Sequence, residues 1–271
     1  MENDIDEMCP AYELNYVYWL FEKAKKNGLI HRYADDLSIL GGDVKLKESD
    51  VLVYAGNHQS LLDYLLPHYA LLSLGLPYPR TVAGKNLGDF PFKQILGLDK
   101  KGMIWINREK ADDFGYIRRF IRTVRSLLGG GEHILVYPEG GRNYDCDGEV
   151  KEFRRGVFDA SLDAQLESDA LGICRDFFIL PFAVFYERIP EEKFFQTIKE
   201  AKRRGDKFKY YGLDLYSYFR WRFIEKRRGQ AKIKFGDKLS VRDLVKQRGL
   251  NRKSLAEFVR REVIRLKKEI S

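Results

Sequence analysis

The sequence predicts an α/β protein: a single domain with a mixed sheet flanked by helices. Two observations support this class. Short apolar runs alternate with longer amphipathic segments, which is typical of a sheet covered by helices on both faces. The chain has 271 residues and 44% hydrophobic side chains, enough to bury a substantial core. No repeat, low-complexity run or linker interrupts it, so one domain over 1–271 is expected.

The individual elements follow from the periodicity of the apolar residues. Short runs rich in β-branched and aromatic residues predict strands. These runs are Val51–Ala55, Thr81–Ala83, Met103–Ile106, His133–Tyr137, Phe177–Phe185 and Ala231–Phe235. Helical spacing is found at Tyr12–Lys26, Leu61–Leu74, Phe114–Leu128 and, as one or two basic helices, from Val241 to the end. The chain thus divides into an N-terminal helix at about 10–27, a core at about 50–190 and a basic, aromatic C-terminal part at about 191–271.

Composition argues against several classes of protein. The longest stretch without charge lies between Asp63 and Arg80, contains three prolines and is shorter than a bilayer span, so no transmembrane helix is expected. The acidic N-terminus lacks an apolar segment, which argues against a signal peptide. The three cysteines include no CxxC pair, which argues against a zinc site. We therefore expect a cytoplasmic protein with reduced cysteines and no metal.

The basic residues are concentrated in the last third of the chain. The formal net charge is +8; residues 1–186 contain 22 basic and 28 acidic side chains, whereas residues 187–271 contain 26 and 12. The segment Lys207–Arg228 interleaves these charges with eight aromatic residues, which suits a membrane–water interface as well as a protein core. Candidate partners are an anionic membrane surface or an acidic carrier protein. No nucleic-acid-binding signature is present, so nucleic acid is not expected.

His58 and Asp63 form the first candidate pair of catalytic residues. They follow the strand Val51–Ala55 and lie five positions apart, as a general base and a carboxylate that orients it. On one continuous helix, five residues rotate by about 500°, which separates the two side chains by about 140°. The pair therefore meets only if His58 precedes the helix and Asp63 lies in its first turns. His31 and Asp36 have the same spacing, but no strand precedes them and no apolar helix follows, so a surface turn is predicted there.

Two further strands end in residues that suit an anionic ligand. These residues are Glu139, Gly140, Gly141 and Arg142 after the strand His133–Tyr137, and Arg108 after the strand Met103–Ile106. Glycine permits close approach of the backbone, and arginine binds phosphate through two parallel hydrogen bonds. Because ligand sites of α/β sheets form where strands end, we expect these residues to converge on the His58–Asp63 pair.

The order of these motifs resembles that of the glycerolipid acyltransferase family. Residues 57–64 (NHQSLLDY) resemble its HxxxxD box, and residues 103–108 (MIWINR) its second block. Residues 137–142 (YPEGGR) resemble the third block, and Ile179–Phe185 the fourth, a strand that ends near the acyl pocket. Residues 231–239 are similar to a late strand and turn of the family. The EGGR block, and the DYLL sequence at 63–66, are most like the branch that acylates glycerol 3-phosphate or dihydroxyacetone phosphate.

The resemblance implies an O-acyltransferase of phospholipid synthesis. It would move a fatty acyl group from an acyl thioester, either acyl-CoA or acyl carrier protein, to a hydroxyl of glycerol 3-phosphate. His58 would take the proton of that hydroxyl, and Asp63 would hold the imidazole. Five further residues would bind the acceptor, the arginines at its phosphate and the carboxylate at its hydroxyls: Arg108, Glu139, Gly140, Gly141 and Arg142. No cofactor is implied beyond the thioester as co-substrate.

Two alternatives remain open. A second basic residue is typical of that branch after each arginine, whereas Asn143 follows Arg142 and Glu109 follows Arg108, which favours a lysophosphatidate or other lysophospholipid acceptor. The other alternative is a non-catalytic basic module that binds an anionic membrane or nucleic acid. As an enzyme of lipid synthesis, the protein is expected to be peripheral on the cytoplasmic face of a membrane. The basic C-terminal part and the opening helix would dock it there.

Overall fold

The computed structural model describes residues 13–26, 33–85, 102–143, 149–204, 220–221 and 223–271. They form one mixed α/β sheet with helices on both faces, which confirms the predicted fold class. The helices are α1 (Leu14–Lys26), α2 (Leu66–Ser73), α3 (Phe114–Gly129), α4 (Gly156–Ala170), α5 (Glu192–Arg204), α6 (Val241–Lys246) and α7 (Arg252–Ile270). The strands are β1 (Asp36–Leu40), β2 (Asp50–Gly56), β3 (Arg80–Gly84), β4 (Met103–Ile106), β5 (Ile134–Val136), β6 (Asp176–Tyr186), β7 (Gln230–Phe235) and β8 (Leu239–Ser240).

The sheet brings the ends of four strands to one edge. Its strand order is β1-β7-β6-β2-β5-β3-β4, and β8 also pairs with β6. Strands β2, β5, β3 and β4 are parallel to their neighbours, so the loops that follow them emerge on the same side. β6 runs parallel to β2 as far as Gly56 and then continues, paired with β7 in the antiparallel direction. The end of β6 therefore projects past the point where β2 stops.

Apolar clusters cover both faces of the sheet. Alternate residues of a strand point to opposite faces. Val51, Val53 and Ala55 belong to the cluster that includes α3, α4, α6 and α7. Leu52 and Tyr54 belong to the cluster that includes α2. Because both faces of β2 are buried, its sequence is apolar almost throughout, as a central parallel strand requires.

The structure differs from the prediction in several elements. The helix expected over Leu61–Leu74 is divided into a 3₁₀ turn, Leu61–Tyr64, and α2, because Pro67 stands in the first turn of α2 and cannot continue a preceding helix. Asp36 begins β1 instead of lying in a surface turn, since β1 pairs with β7 at the sheet edge; His31 lies outside the described residues. Helices α4 and α5 are additional. α4 is buried on most sides, so its apolar residues show little helical periodicity.

Folding partly neutralises the basic C-terminal part with carboxylates from the acidic part of the same chain. Arg242 forms salt bridges with Asp169 and Asp176, and Lys246 also pairs with Asp169. Arg252–Asp163 and Lys238–Asp50 are further pairs of this kind. Other cations pair with carboxylates of the C-terminal part itself, in Lys234–Glu269, Arg265–Glu262 and Arg261–Glu257. The charge asymmetry along the sequence therefore does not by itself require an external acidic partner.

The aromatic segment Lys207–Arg228, predicted to suit a membrane interface or a core, lies mostly outside the described residues. Trp221 is buried, and its indole N–H donates a hydrogen bond to the backbone carbonyl of Tyr33. Phe223 is exposed. For Trp221 the core interpretation is therefore correct. Among the described helices, none is long and apolar enough to cross a membrane.

We expect Asp169→Asn to lower the free energy of unfolding by about 1 kcal/mol at neutral pH, a modest value because water screens the bridges to Arg242 and Lys246. Hydrogen bonds from Arg242 and Lys246 lower the pKa of Asp169 from 3.8 to about 2. The stabilisation is therefore complete above pH ~4 and is lost as the pH falls towards ~2. Urea unfolding of both proteins across this pH range measures the difference.

Asp237→Asn is the matched control, because Asp237 is exposed and forms no salt bridge with any described residue. Its unfolding free energy should stay close to that of the unaltered protein. An equal loss in both variants, or a loss in Asp169→Asn that does not shrink in acid, would contradict the assignment.

Candidate active site

His58 and Asp63 lie at hydrogen-bond distance in the structure. β2 ends at Gly56, His58 is in the turn that follows, and Asp63 is in the 3₁₀ turn Leu61–Tyr64. The Nδ1 atom of His58 is 2.7 Å from Oδ2 of Asp63. The side chain of His58 is 4% exposed and that of Asp63 is fully buried. This is the arrangement that the five-residue spacing requires, with the histidine before the helical turn and the carboxylate inside it.

The Asp63 carboxylate accepts hydrogen bonds from four donors. Its Oδ2 accepts from the His58 ring and from the backbone N–H groups of Gln59 and Ser60. Its Oδ1 accepts from the Tyr186 hydroxyl at 2.7 Å. Ser60 is the N-cap of the 3₁₀ turn and forms a capping box with Asp63. Because the carboxylate is an acceptor, Nδ1 of His58 carries the ring proton and Nε2 is the basic atom.

Electrostatics keep the His58 imidazole neutral. Burial lowers the pKa of His58 from its usual 6.5, and this is the largest effect. The hydrogen bond and charge of Asp63 act in the opposite direction, whereas the positive charges of Arg142 and Arg108 lower the pKa further. The ring also stacks on Tyr137, with 4.5 Å between ring centroids. At neutral pH the imidazole is therefore ready to accept a proton at Nε2.

Glu139 holds the backbone of the turn that carries His58. Its Oε1 accepts a hydrogen bond from the backbone N–H of His58 at 2.8 Å, and its Oε2 accepts from that of Lys151 at 3.1 Å. The backbone N–H of Asn143 donates to the carbonyl of His58 at 2.9 Å. The loop after β5 is thus bound to both polar backbone groups of His58. This adds a positioning role to Glu139, and its contact with substrate hydroxyls stays a prediction.

Arg142 is paired with a buried carboxylate that lies outside the sequence motifs. Oε1 of Glu191, which is fully buried, lies 3.2 Å from Nη1 of Arg142. Glu191 also accepts hydrogen bonds from the Ser60 hydroxyl at 2.8 Å and the Leu61 N–H at 2.7 Å. The Arg142 guanidinium lies over the ring of Phe195. Part of its charge is therefore compensated within the protein, and its role as a phosphate ligand stays a prediction.

A cleft of about 900 Å³ opens at this edge of the sheet and is lined by His58. Of the predicted binding residues, four line the cleft and Arg142 does not. The four are Arg108, Glu139, Gly140 and Gly141. The apolar lining includes Val82, Ile106, Ile117, Phe120, Ile121 and Val157. The charged lining has five cations, Arg108, Lys151, Arg154, Arg155 and Lys253, against three carboxylates, Glu139, Glu152 and Asp159, and is therefore basic on balance. The cleft suits a molecule with an apolar end and an anionic end.

Gly140 lets the loop after β5 approach the basic part of the wall. Its φ is +75°, a conformation that residues with a Cβ atom rarely adopt. A Cβ atom at this position would lie 2.5 Å from Nε of Arg154, whose backbone N–H donates to the carbonyl of Pro138. A larger residue would therefore displace Arg154 from the cleft.

Tyr186 and Glu191 support the site but are absent from the sequence prediction. Tyr186 is 123 residues from Asp63, and Glu191 is 131 residues from Ser60. Asn57 draws the end of β6 towards the histidine turn, because its side-chain amide bonds to both the N–H and the C=O of Val184. No described residue of β6 lines the cleft. The strand that contains the fourth block, Ile179–Phe185, is followed directly by Tyr186, which bonds to the Asp63 carboxylate. For Tyr186, the sequence does contain a signal: a tyrosine at the end of an otherwise apolar strand.

Comparison with known proteins gives a family match and several distant relatives. A family model described as Acyltransferase matches residues 40–185. A glycerol-3-phosphate acyltransferase of Pseudoalteromonas translucida is 27% identical over 226 residues, and one of Xanthomonas axonopodis pv. citri is 28% identical over 194 residues. These alignments cover 83% and 72% of this chain, and 25% and 21% of the relatives. The chain thus spans about a quarter of the length of the curated relatives it matches.

A solved structure has a similar fold. The crystal structure of the 1-acyl-sn-glycerophosphate (LPA) acyltransferase PlsC from Thermotoga maritima matches with a TM-score of 0.53 at 19% identity. The match covers 93% of this chain and 80% of that chain. At this identity the likeness concerns the fold alone, and it agrees with the predicted mixed sheet flanked by helices.

We expect Asp63→Asn to lower the pKa of His58 further, because the hydrogen bond and charge of Asp63 both raise it against the effect of burial. The variant should also weaken the preference for the proton on Nδ1, since an amide can donate as well as accept. Nitrogen NMR of histidine-labelled protein across a pH series measures both. Asp36→Asn is the control, because it removes the carboxylate of the other histidine–aspartate pair with the same spacing, His31 and Asp36. It should leave the His58 signals unchanged. A His58 pKa that rises in Asp63→Asn would contradict this electrostatic account.

Proposed function

The chain belongs to the acyltransferase family, and we propose that it transfers a fatty acyl group from an acyl thioester to a hydroxyl of glycerol 3-phosphate. The observation that carries the proposal is the His58–Asp63 pair, 2.7 Å apart, in a cleft with an apolar wall and a basic wall. The apolar wall suits an acyl chain, and the basic wall suits the phosphate of the acceptor. The names of the relatives favour the same acceptor.

In the proposed reaction His58 is the general base. Its Nε2 takes the proton of the acceptor hydroxyl, and the oxygen attacks the carbonyl carbon of the thioester to form a tetrahedral intermediate. The carbon–sulfur bond then breaks, and the leaving thiolate takes the proton from the imidazolium. Asp63 keeps the other ring proton on Nδ1 and stabilises the imidazolium. General-base catalysis of this kind contributes about 10² to 10⁴ in rate.

Arg108 is the cation best placed to bind the acceptor phosphate, because it is exposed, lines the cleft and is near enough to His58 for its charge to lower the pKa of the histidine. Lys151 and Arg154 line the same wall and add positive charge. Arg142 would contribute mainly through its field, since its guanidinium is 11% exposed and paired with Glu191. The acceptor is then held by its anionic end, with a hydroxyl directed towards Nε2 of His58.

A lysophospholipid acceptor is the second candidate. The pairing of Arg142 with Glu191 leaves one arginine of the predicted pair in the cleft wall, fewer cations than a doubly charged phosphate monoester favours. The same cleft would then receive a lysophospholipid whose phosphodiester carries a single negative charge. Comparison of glycerol 3-phosphate, lysophosphatidate and lysophosphatidylglycerol as acceptors, at matched donor concentration, separates the candidates by kcat/KM.

The donor and the membrane are part of the same proposal. Acyl-CoA and acyl carrier protein both present the required thioester, and no further cofactor is needed for the transfer. The lipid product has to enter a bilayer, so we place the protein at the anionic cytoplasmic surface of a membrane as a peripheral protein.

His58→Ala is expected to reduce acyl transfer by about 10² to 10⁴, because the general base is removed. Release of free thiol from palmitoyl-CoA, with and without glycerol 3-phosphate, measures the reaction. His31→Ala is the control and should retain full turnover. A His58→Ala protein with unaltered turnover would contradict the mechanism. Absence of turnover in the unaltered protein with CoA and carrier-protein donors, and with lysophosphatidate as acceptor, would favour a binding module.

Tyr186→Phe is expected to reduce kcat about tenfold with little change in KM, because the Asp63 carboxylate loses one of its donors and holds the imidazole less firmly. Tyr54→Phe is a matched control. Its hydroxyl is also buried and donates a hydrogen bond, at 2.9 Å to the carbonyl of Pro77, away from the site. Both variants should lose about 1 kcal/mol of stability. Equal effects on kcat would show that Tyr186 acts through stability alone.

A further inference from the structure

Helix α3 presents exposed arginines that form no salt bridge with a described residue. Arg118, Arg119 and Arg122 are exposed, and none of them forms a salt bridge with a described residue. Residues 114–129 include four arginines and no carboxylate; Arg125 lies 3.5 Å from Glu167. Asp113, the N-cap of the helix, has its pKa lowered by backbone hydrogen bonding and in part by the charge of Arg119. This differs from the C-terminal part, where many cations are bound to carboxylates of the same chain. The uncompensated positive charge therefore includes a patch on α3.

An exposed aromatic ring lies on the same face of α3. Phe114, the first residue of the helix, is 70% exposed. The guanidinium of Arg118 lies 4.4 Å from the centre of its ring. Phe114, Arg118 and Arg122 are spaced four residues apart and so lie along one side of the helix. An apolar ring beside arginines is the composition of helices that rest in the membrane–water interface.

An adjoining side of α3 forms part of the cleft. Ile117, Phe120 and Ile121 belong to its apolar wall. A surface in contact with Phe114 and the three arginines would therefore lie within one helix diameter of the site proposed for the acyl chain.

We propose that the face of α3 formed by Phe114, Arg118, Arg119 and Arg122 docks the protein on an anionic phospholipid surface. Three observations support this occupant: exposed arginines without a salt bridge, an exposed aromatic ring and a position beside the cleft. A membrane gives Phe114 an apolar layer to enter, which the acidic surface of a carrier protein does not. This proposal rests on the proposed function, because docking serves an enzyme whose product enters a bilayer. It assigns docking to α3, whereas the sequence predicted the basic C-terminal part and the opening helix.

The test is binding of the purified protein, without substrates, to vesicles of phosphatidylcholine that contain phosphatidylglycerol, measured by sedimentation. Each arginine near an anionic surface contributes about fivefold to partitioning, so Arg118→Gln/Arg119→Gln/Arg122→Gln should bind about 100-fold more weakly. Phe114→Ala should bind about tenfold more weakly. The effect of Phe114→Ala should persist at high salt, which screens the charges.

The matched control is Lys226→Gln/Arg261→Gln/Lys268→Gln, which removes three charges from exposed positions of the C-terminal part. Its binding should stay close to that of the unaltered protein. Equal weakening in both triple variants would show that total charge, not the α3 face, governs binding, and would overturn the proposal. Vesicle binding that is undetectable in the unaltered protein would overturn it as well.

Turnover of soluble acyl-CoA and glycerol 3-phosphate without vesicles should be unchanged in the α3 variant, because none of the three arginines lines the cleft. A variant that binds vesicles normally but loses turnover with acyl carrier protein would assign this face to the carrier and overturn the membrane proposal. Vesicle binding that depends on α3, in a protein without any thioester turnover, would support docking and contradict the proposed function.

Discussion

The organisation of the site depends on the buried carboxylate of Asp63. Its hydrogen bonds reach the histidine ring, the backbone that begins the 3₁₀ turn and the hydroxyl at the end of β6. Such a carboxylate is stable away from water because each donor replaces part of its lost hydration. The same bonds position the turn and fix the tautomer of His58. Chemistry and local folding therefore cannot be separated at this residue, and a substitution there changes both.

A second constraint is the pairing of acidic and basic parts of the chain. The acidic residues of α4 and the start of β6 are partners of cations on α6, and those of α4 also bind α7. These pairs help to hold the C-terminal helices against the sheet, each with a modest contribution because each is partly exposed. Net charge along the sequence is then a poor guide to the charged surface. Once the cations that form salt bridges are set aside, the exposed arginines of α3 stand out among the remaining positive charges.

The sequence predicts the parts of the site that are local and leaves out the parts that are distant. The His58–Asp63 geometry follows from a strand, a turn and a spacing, all within a short segment. The convergence of Arg108 and Glu139 follows from parallel strands that end at one edge. Glu191 carries no such signal, because a glutamate between a strand and a helix is normally solvated. β1 was equally hidden, since its half-exposed residues at the sheet edge resemble a surface segment.

The charges around His58 also connect substrate binding to basicity. Arg142 and Arg108 lower the pKa of His58, so their positive field opposes formation of the imidazolium. Under the proposed function, an acceptor phosphate beside Arg108 offsets that field and makes the imidazole a stronger base when the hydroxyl is in place. Without the acceptor, the arginines keep the histidine less basic, which disfavours activation of water against the thioester. Arg142 lowers the pKa of His58 more than Arg108 does, so a phosphate beside Arg108 would offset the smaller part of their joint effect.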